Sequence, residues 1–168
     1  MAVALFSTCC FALPVLPAIL SEGMMPGKTV LVIEDDIIQR EMLVTELRHQ
    51  GFTVVTATEG NEALSRLFSD PFPDLILLDM LNPSGERDGW WFLNQRQHIP
   101  AIASVPVVIT TSLGAACEEW AASLGADGLI RKPFDVEPLL AEIQHLLDEK
   151  TKDESAVAPS AHRPHSCR

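Results

Sequence analysis

An α/β fold built on a five-stranded parallel sheet is the class this sequence predicts. Three observations carry it. Five short apolar runs recur along the middle of the chain, and none alternates polar with apolar residues. Each run is followed by a segment with apolar residues at helical spacing. The length, 168 residues, suits one domain with a sizeable core. Strands without in–out alternation are buried on both faces. Strand-then-helix repetition places them in parallel, with helices covering both sides.

The elements follow in order. Residues 29–33 form a β-branched run, the first strand. Residues 37–49 carry Ile38, Met42 and Leu47 at helical spacing and end at Gly51, a helix-stop signal. Residues 53–56 are strand-like. Residues 59–68 are helical, with Ala63, Leu64 and Leu67 on one side. After Pro73, residues 74–78 make a continuous apolar strand. A helix is expected at 88–97, a strand at 105–110, and a helix at 115–124 that stops at Gly125. Residues 128–131 are a short strand. The last helix, 135–147, is N-capped by Asp135 and buries Leu139, Leu140, Ile143, Leu146 and Leu147. Trp90 and Trp91 are expected to pack in the core.

The flanks differ in character. Residues 2–20 carry no charge, but a basic n-region is missing, and Pro14 and Pro17 would break a spanning helix. Residues 1–27 therefore read as a disordered or mis-assigned apolar extension ahead of the domain, with Met24 or Met25 as the expected natural start and 1–23 dispensable for folding; a weak hydrophobic anchor and an export signal are the alternatives. Residues 149–168 are polar, with Pro159 and Pro164, and read as a disordered tail. The formal net charge of −11 argues against nonspecific nucleic-acid binding, and no membrane partner is expected. Cys9, Cys10, Cys117 and Cys167 lack framework spacing, which points to a reducing, cytoplasmic location.

In open parallel sheets the functional crevice lies beyond the carboxyl ends of the strands. Here those ends carry Glu34-Asp35-Asp36, Asp79, Thr111-Ser112 and Lys132-Pro133. Gathered carboxylates repel one another and together can hold a hard divalent cation such as Mg²⁺. A carboxylate beside that ion can attack a phosphoryl group. The transferring group needs its oxygens neutralised by metal, ammonium and hydroxyl. Asp79, Lys132 and Thr111 suit those parts.

Four stretches, VLVIEDD, PDLILLDM, VPVVITTS and GADGLIRKPFD, occur in that order at the strand ends. Together they resemble the response-regulator receiver domain over roughly residues 28–148. The resemblance implies the flavodoxin-like strand order 2-1-3-4-5. It implies Asp79 as phosphoacceptor, with Glu34, Asp35, Asp79 and the Leu81 carbonyl around Mg²⁺, Glu34 acting through water. It implies Thr111 as the switch hydroxyl and Lys132 as the phosphate-binding lysine, before a cis bond to Pro133. Asp36 is expected to be a rim charge.

Three departures stand out. Residues 82–89 form a loop about two residues longer than usual in the family. Leu129 occupies the place of the frequent switch aromatic, which puts the usual ring movement in doubt. Leu81 and Leu113, two residues after Asp79 and Thr111, are apolar and predict a long-lived phosphorylated form, since neither can orient a hydrolytic water.

The expected function is a single-domain response regulator, not an enzyme in the usual sense. It would take a phosphoryl group from a sensor histidine kinase or phosphotransfer protein and signal through an unidentified downstream protein. The resemblance places the output face near residues 117–124 and 136–147. Two alternatives share the architecture. One is a docking scaffold that is never phosphorylated. The other is a small flavin-binding protein, which the three acids after the first strand disfavour.

Overall fold

The computed structural model describes residues 27–80 and 89–157. The expected apolar extension and the loop at 81–88, with Leu81, Glu86 and Arg87, lie outside the described residues. Five parallel strands run in the order β2-β1-β3-β4-β5: β1 Thr29–Ile33, β2 Thr53–Ala57, β3 Leu75–Asp79, β4 Val107–Thr111 and β5 Gly128–Arg131. Order and class are those expected.

Side chains of a strand alternate between two apolar layers. One layer holds Val30, Val32, Leu75, Leu77 and Val108, covered by α1 (Ile37–His49) through Leu43 and Leu47 and by α6 (Val136–Val157) through Leu139, Ile143 and Leu147. The other holds Leu31, Ile33, Ile76, Leu78, Val107 and Ile109. It is covered by α2 (Gly60–Arg66), α3 (Gly89–Gln97), α4 (Pro100–Ala103) and α5 (Glu118–Ser123), through Ala63, Phe92, Ile102 and Ala121 among others. Strands β1, β3 and β4 are buried along their whole length, which is why they read as apolar runs without alternation.

Several expectations are corrected. In α1 the core face is Leu43, Val44 and Leu47, whereas Ile38 and Met42 are 77% and 41% exposed. The segment is apolar on more than one side, so spacing alone could not choose. Helix α5 starts at Glu118 rather than residue 115. The extended backbone of Cys117 precedes it. Helix α6 continues to Val157, past the expected end at 147 and into the stretch read as a disordered tail. No glycine or proline occurs between Pro138 and Pro159, so nothing in the backbone chemistry stops the helix earlier. Trp90 is 45% exposed, not core. Its ring meets Trp120 of α5 edge to face, with centroids 5.7 Å apart at 76°. Trp91 packs half-buried against the core. The glycine stops hold: Gly51 and Gly125 take φ of 89° and 76°, the left-handed region that ends α1 and α5.

Helix α4 has no counterpart in the sequence reading. It is held by Arg96, which is 5% exposed and, among the described residues, donates to backbone carbonyls. Its Nε donates to Ile102 O at 3.2 Å, and its Nη1 to Gly125 O at 3.0 Å. Its Nη2 donates to Ala103 O at 3.1 Å and to Val105 O. A planar fork of five N–H donors can serve the unpaired carbonyls of a short helix end and a neighbouring turn at once. Burial lowers the Arg96 pKa, and Asp127 works against that shift.

Candidate functional site

The site is assembled where β1, β3, β4 and β5 end. Glu34 follows β1, Asp79 closes β3 and Lys132 follows β5. Lys132 Nζ lies 2.8 Å from Glu34 Oε2 and 2.9 Å from Asp79 Oδ2. The Glu34 and Lys132 side chains are 2% and 11% exposed, and that of Asp79 is 6%. Parity explains the meeting. Val32, Leu77 and Ile130 face the α1/α6 layer, and two residues further along each chain come Glu34, Asp79 and Lys132. The Lys132–Pro133 bond is cis, as expected.

Asp35, half-buried, completes an oxygen cluster. One carboxylate oxygen each from Glu34, Asp35 and Asp79 lie within 4.8 Å of one another. All-oxygen anionic donors fit Mg²⁺, and three carboxylates offer it charge while leaving room for waters. Leu81, the expected carbonyl ligand, is outside the described residues.

Two further residues hold the acidic loop, and the sequence reading missed both roles. Arg40 Nη1 donates to Glu34 O at 2.7 Å and to Asp35 O at 3.2 Å. Asp36 is the N-cap of α1, its Oδ1 accepting from the Gln39 N–H at 2.8 Å. The signal for Asp36 was present, since an aspartate directly before a helical run is a capping residue; for Arg40 only three-dimensional proximity could reveal it.

Thr111 and Leu129 lie on the other side of the sheet. Thr111 is fully buried, and its Oγ1 accepts the Leu113 N–H at 3.1 Å. Leu129, paired with Ile109, packs half-buried against the α3/α5 layer. The hydroxyl residue that lines the acidic pocket with Glu34, Asp35, Asp79 and Lys132 is Ser112.

Electrostatically, one ammonium serves two buried carboxylates. Burial is the main cause that pushes Glu34 up to about 7, with Asp79 adding to it and the Lys132 hydrogen bond opposing. Burial works against the Lys132 ammonium, but the bonds to Glu34 and Asp79 outweigh it and raise its pKa. Glu34 therefore holds a proton in the folded state that it has lost in the unfolded chain, between the ordinary value of 4.5 and about 7. That contribution to stability is complete below 4.5 and is lost as pH rises through about 7. In chelator, going from pH 5 to pH 8 should cost the parent ~2 kcal/mol more than Glu34→Gln. Denaturant unfolding at the two pH values checks this. Equal pH slopes for the two proteins would refute it.

Gly89 opens α3 against the end of β3. A Cβ there would sit 2.8 Å from Met80 Sδ, 3.1 Å from Asp79 O and 3.2 Å from Met80 Cα. The backbone atoms cannot yield as a side chain could. Gly89→Ala should cost ~1–3 kcal/mol, read as a lowered denaturant midpoint. An unchanged midpoint would show that the helix start can shift.

The site is thus a buried lysine shared by acids at the ends of two strands, in a sheet of order 2-1-3-4-5. The response regulator receiver domain model matches residues 30–144. The chain belongs to this family. Solved receivers are similar in fold: the CheY-like receiver domain protein of Methanospirillum hungatei superposes with a TM-score of 0.65 at 26% identity, covering 75% of this chain and 98% of that one. CheY4 of Vibrio cholerae gives a TM-score of 0.62 at 29% identity, over 71% of this chain and 98% of that one. Among curated proteins, the phosphate regulon transcriptional regulatory protein PhoB of Escherichia coli is 35% identical over 123 residues, 72% of this chain and 52% of PhoB. The chain spans about half the length of the curated relatives it matches. The match thus concerns their receiver, a signalling phosphoacceptor of two-component systems. Among the described residues, no helix is long and apolar enough to cross a membrane.

Proposed function

We propose that this receiver accepts a phosphoryl group on Asp79 from the phosphohistidine of a sensor histidine kinase or phosphotransfer protein, in a Mg²⁺-dependent step in the cytoplasm, and signals through protein contacts. The observation that carries the reading is Lys132 bonded to both Glu34 and Asp79 beside Asp35. In the transfer, an Asp79 carboxylate oxygen forms the new P–O bond as the donor's P–N bond breaks. The imidazole leaves with the electron pair and takes up a proton. Mg²⁺, held by Glu34, Asp35, Asp79 and the Leu81 carbonyl, would supply positive charge to the phosphoryl oxygens. Lys132 is placed to neutralise a further oxygen. Arg40 holds the acidic loop in position.

Partner contact is supported by apolar exposure at the pocket rim. Ile37 and Ile38, 63% and 77% exposed, open α1, and Ile37 itself lines the pocket. Met42 borders an adjoining hollow with Pro133 and Phe134. A partner that buries this patch brings its histidine over Asp79. Toward the output side, Thr111 ties the start of the loop to α5, where Trp120 leans on exposed Trp90; Leu129 lies behind it in place of a switch aromatic. The long lifetime expected from apolar flanks rests on Leu113, which is 38% exposed, together with Leu81.

The test is incubation with phosphoramidate, with and without Mg²⁺, followed by weighing the intact protein. One acid-stable, base-labile phosphoryl addition that needs Mg²⁺ is expected. No addition under either condition would favour the unphosphorylated docking scaffold.

A further inference from the structure

We propose that the corner between α3 and α5, marked by Trp90 and Trp120 and edged by Glu118 and Glu119, docks a short cationic segment of a partner protein. Docking there does not depend on the phosphoryl chemistry of Asp79.

The corner lies toward the functional end of the sheet. Gly89 opens α3 against Asp79 O and Met80, and Trp90 is the next residue. Helix α5 follows β4, and Trp120 is its third residue. The two indoles meet edge to face across the helices. Trp120 packs half-buried on the core and so braces Trp90, which stays exposed. One turn on, Asn94 leaves the same face of α3 open to solvent. An exposed indole held by a second ring leaves apolar surface in water, and tryptophan is enriched among the residues that carry binding energy.

Charge names the occupant. Helix α5 opens on two exposed carboxylates, Glu118 and Glu119. Hydrogen bonds from its own backbone N–H and from Cys117 hold Glu119 below the ordinary carboxylate range, so it is ionised. Neither helix supplies a cation to answer them: α5 has none, and Arg96 of α3 is buried among carbonyls. Arg131, which reaches the turn before α5, is bonded to Ala116 O. An indole face beside carboxylates fits an arginine or a lysine, since the ring attracts the cation and the carboxylates bond the same group. A net charge of −11 draws such a segment in. An acidic segment would meet Glu118 and Glu119 as like charges.

The probe is an acetylated six-arginine peptide, titrated into the full chain at low salt and followed by calorimetry. The parent should bind it and should not bind a six-glutamate peptide. Trp90→Ala, and Glu118→Gln with Glu119→Gln, should each weaken binding ~5-fold, whereas Trp90→Phe, which keeps a ring, should stay within about twofold. Asp148→Asn with Glu149→Gln removes the same charge from an exposed stretch of α6, on the opposite side of the sheet, and should also stay within about twofold. Melting curves check that each variant is folded; if Trp90→Ala is not, the glutamate pair carries the test. A parent that ignores the peptide, an α6 pair that weakens binding as much as the α5 pair, or an α5 pair that leaves it unchanged would overturn the proposal. A dimer in sedimentation that Trp90→Ala dissolves would give the corner to a second copy of this chain instead. Asp79→Asn should bind the peptide as the parent does, so failure of the phosphoacceptor reading leaves the docking intact. Clearly weaker binding by Asp79→Asn would place the peptide in the acidic pocket and sink the proposal.

Discussion

Asp79→Asn is expected to take up no phosphoryl group from phosphoramidate, with or without Mg²⁺, and yet to fold at least as stably as the parent. The first half follows from chemistry. An amide oxygen is a far weaker nucleophile than a carboxylate, and no other described acid stands in the same relation to Lys132 except Glu34, whose own oxygen is engaged with it at 2.8 Å. The second half follows from the charge count. Two carboxylates with side chains 2% and 6% exposed share one ammonium. Above about pH 7, where Glu34 has lost its proton, that arrangement holds a net negative charge out of water, at a cost in stability that function retains. With Asn at residue 79, Lys132 pairs with Glu34 alone. In chelator the variant should gain ~1 kcal/mol over the parent, measured by denaturant unfolding. Labelling of the variant would remove Asp79 as the acceptor. A variant markedly less stable than the parent would show that Asp79 supports the fold through bonds an amide cannot make.

Arg96→Met should cost about 3 kcal/mol of stability. Methionine fills much of the volume and removes a desolvated charge, which is a gain. It also leaves the carbonyls of Ile102, Ala103, Val105 and Gly125 without the guanidinium that serves them. A buried carbonyl stripped of its donor costs ~1–3 kcal/mol, and water can reach some of the four. The balance is a melting temperature lower by ~10 °C for a domain of this size. Arg96→Lys keeps the charge but not the fork, so it should recover less than half of the loss. The turn at Gly125 precedes β5, and β5 leads to Lys132. Loss of Arg96 should therefore loosen the site as well as the fold, visible as faster amide exchange in β5. A Met variant melting within ~2 °C of the parent would show that the carbonyls find other partners.

The sheet class and the strand-end residues were legible in the sequence for a plain physical reason. A strand buried on both faces must be apolar throughout. The residue at which it meets water is then marked by an abrupt change, as in Leu75–Leu78 followed by Asp79. Glycines at 51 and 125 marked helix ends because only they take positive φ at little cost. The strand order came from resemblance to the receiver family, since local residue patterns carry no record of which strand lies beside which.

Other features depended on the packed molecule. Periodicity named Ile38 and Met42 as core, but α1 is apolar on more than one side, and only its docking on the sheet selects Leu43, Val44 and Leu47. Composition marked residues 149–168 as tail, whereas the helix runs on to Val157 because nothing in the backbone stops it earlier. The sequence reading gave Arg96 and Arg40 no role. Their carbonyl partners, on other turns and loops, become neighbours only after folding. The sharpest case is Thr111 beside Ser112. Sequence placed both at the end of β4 and its reading took Thr111 as the hydroxyl of the site, whereas the residue that lines the acidic pocket here is Ser112. That depends on the pleat and on register with β3 and β5, where a one-residue step moves a side chain to the opposite face of the sheet. By itself the sequence determined which residues gather at one edge of the sheet. The tertiary structure decided which of their side chains enter the pocket, because facing is a property of paired strands and not of a single chain segment.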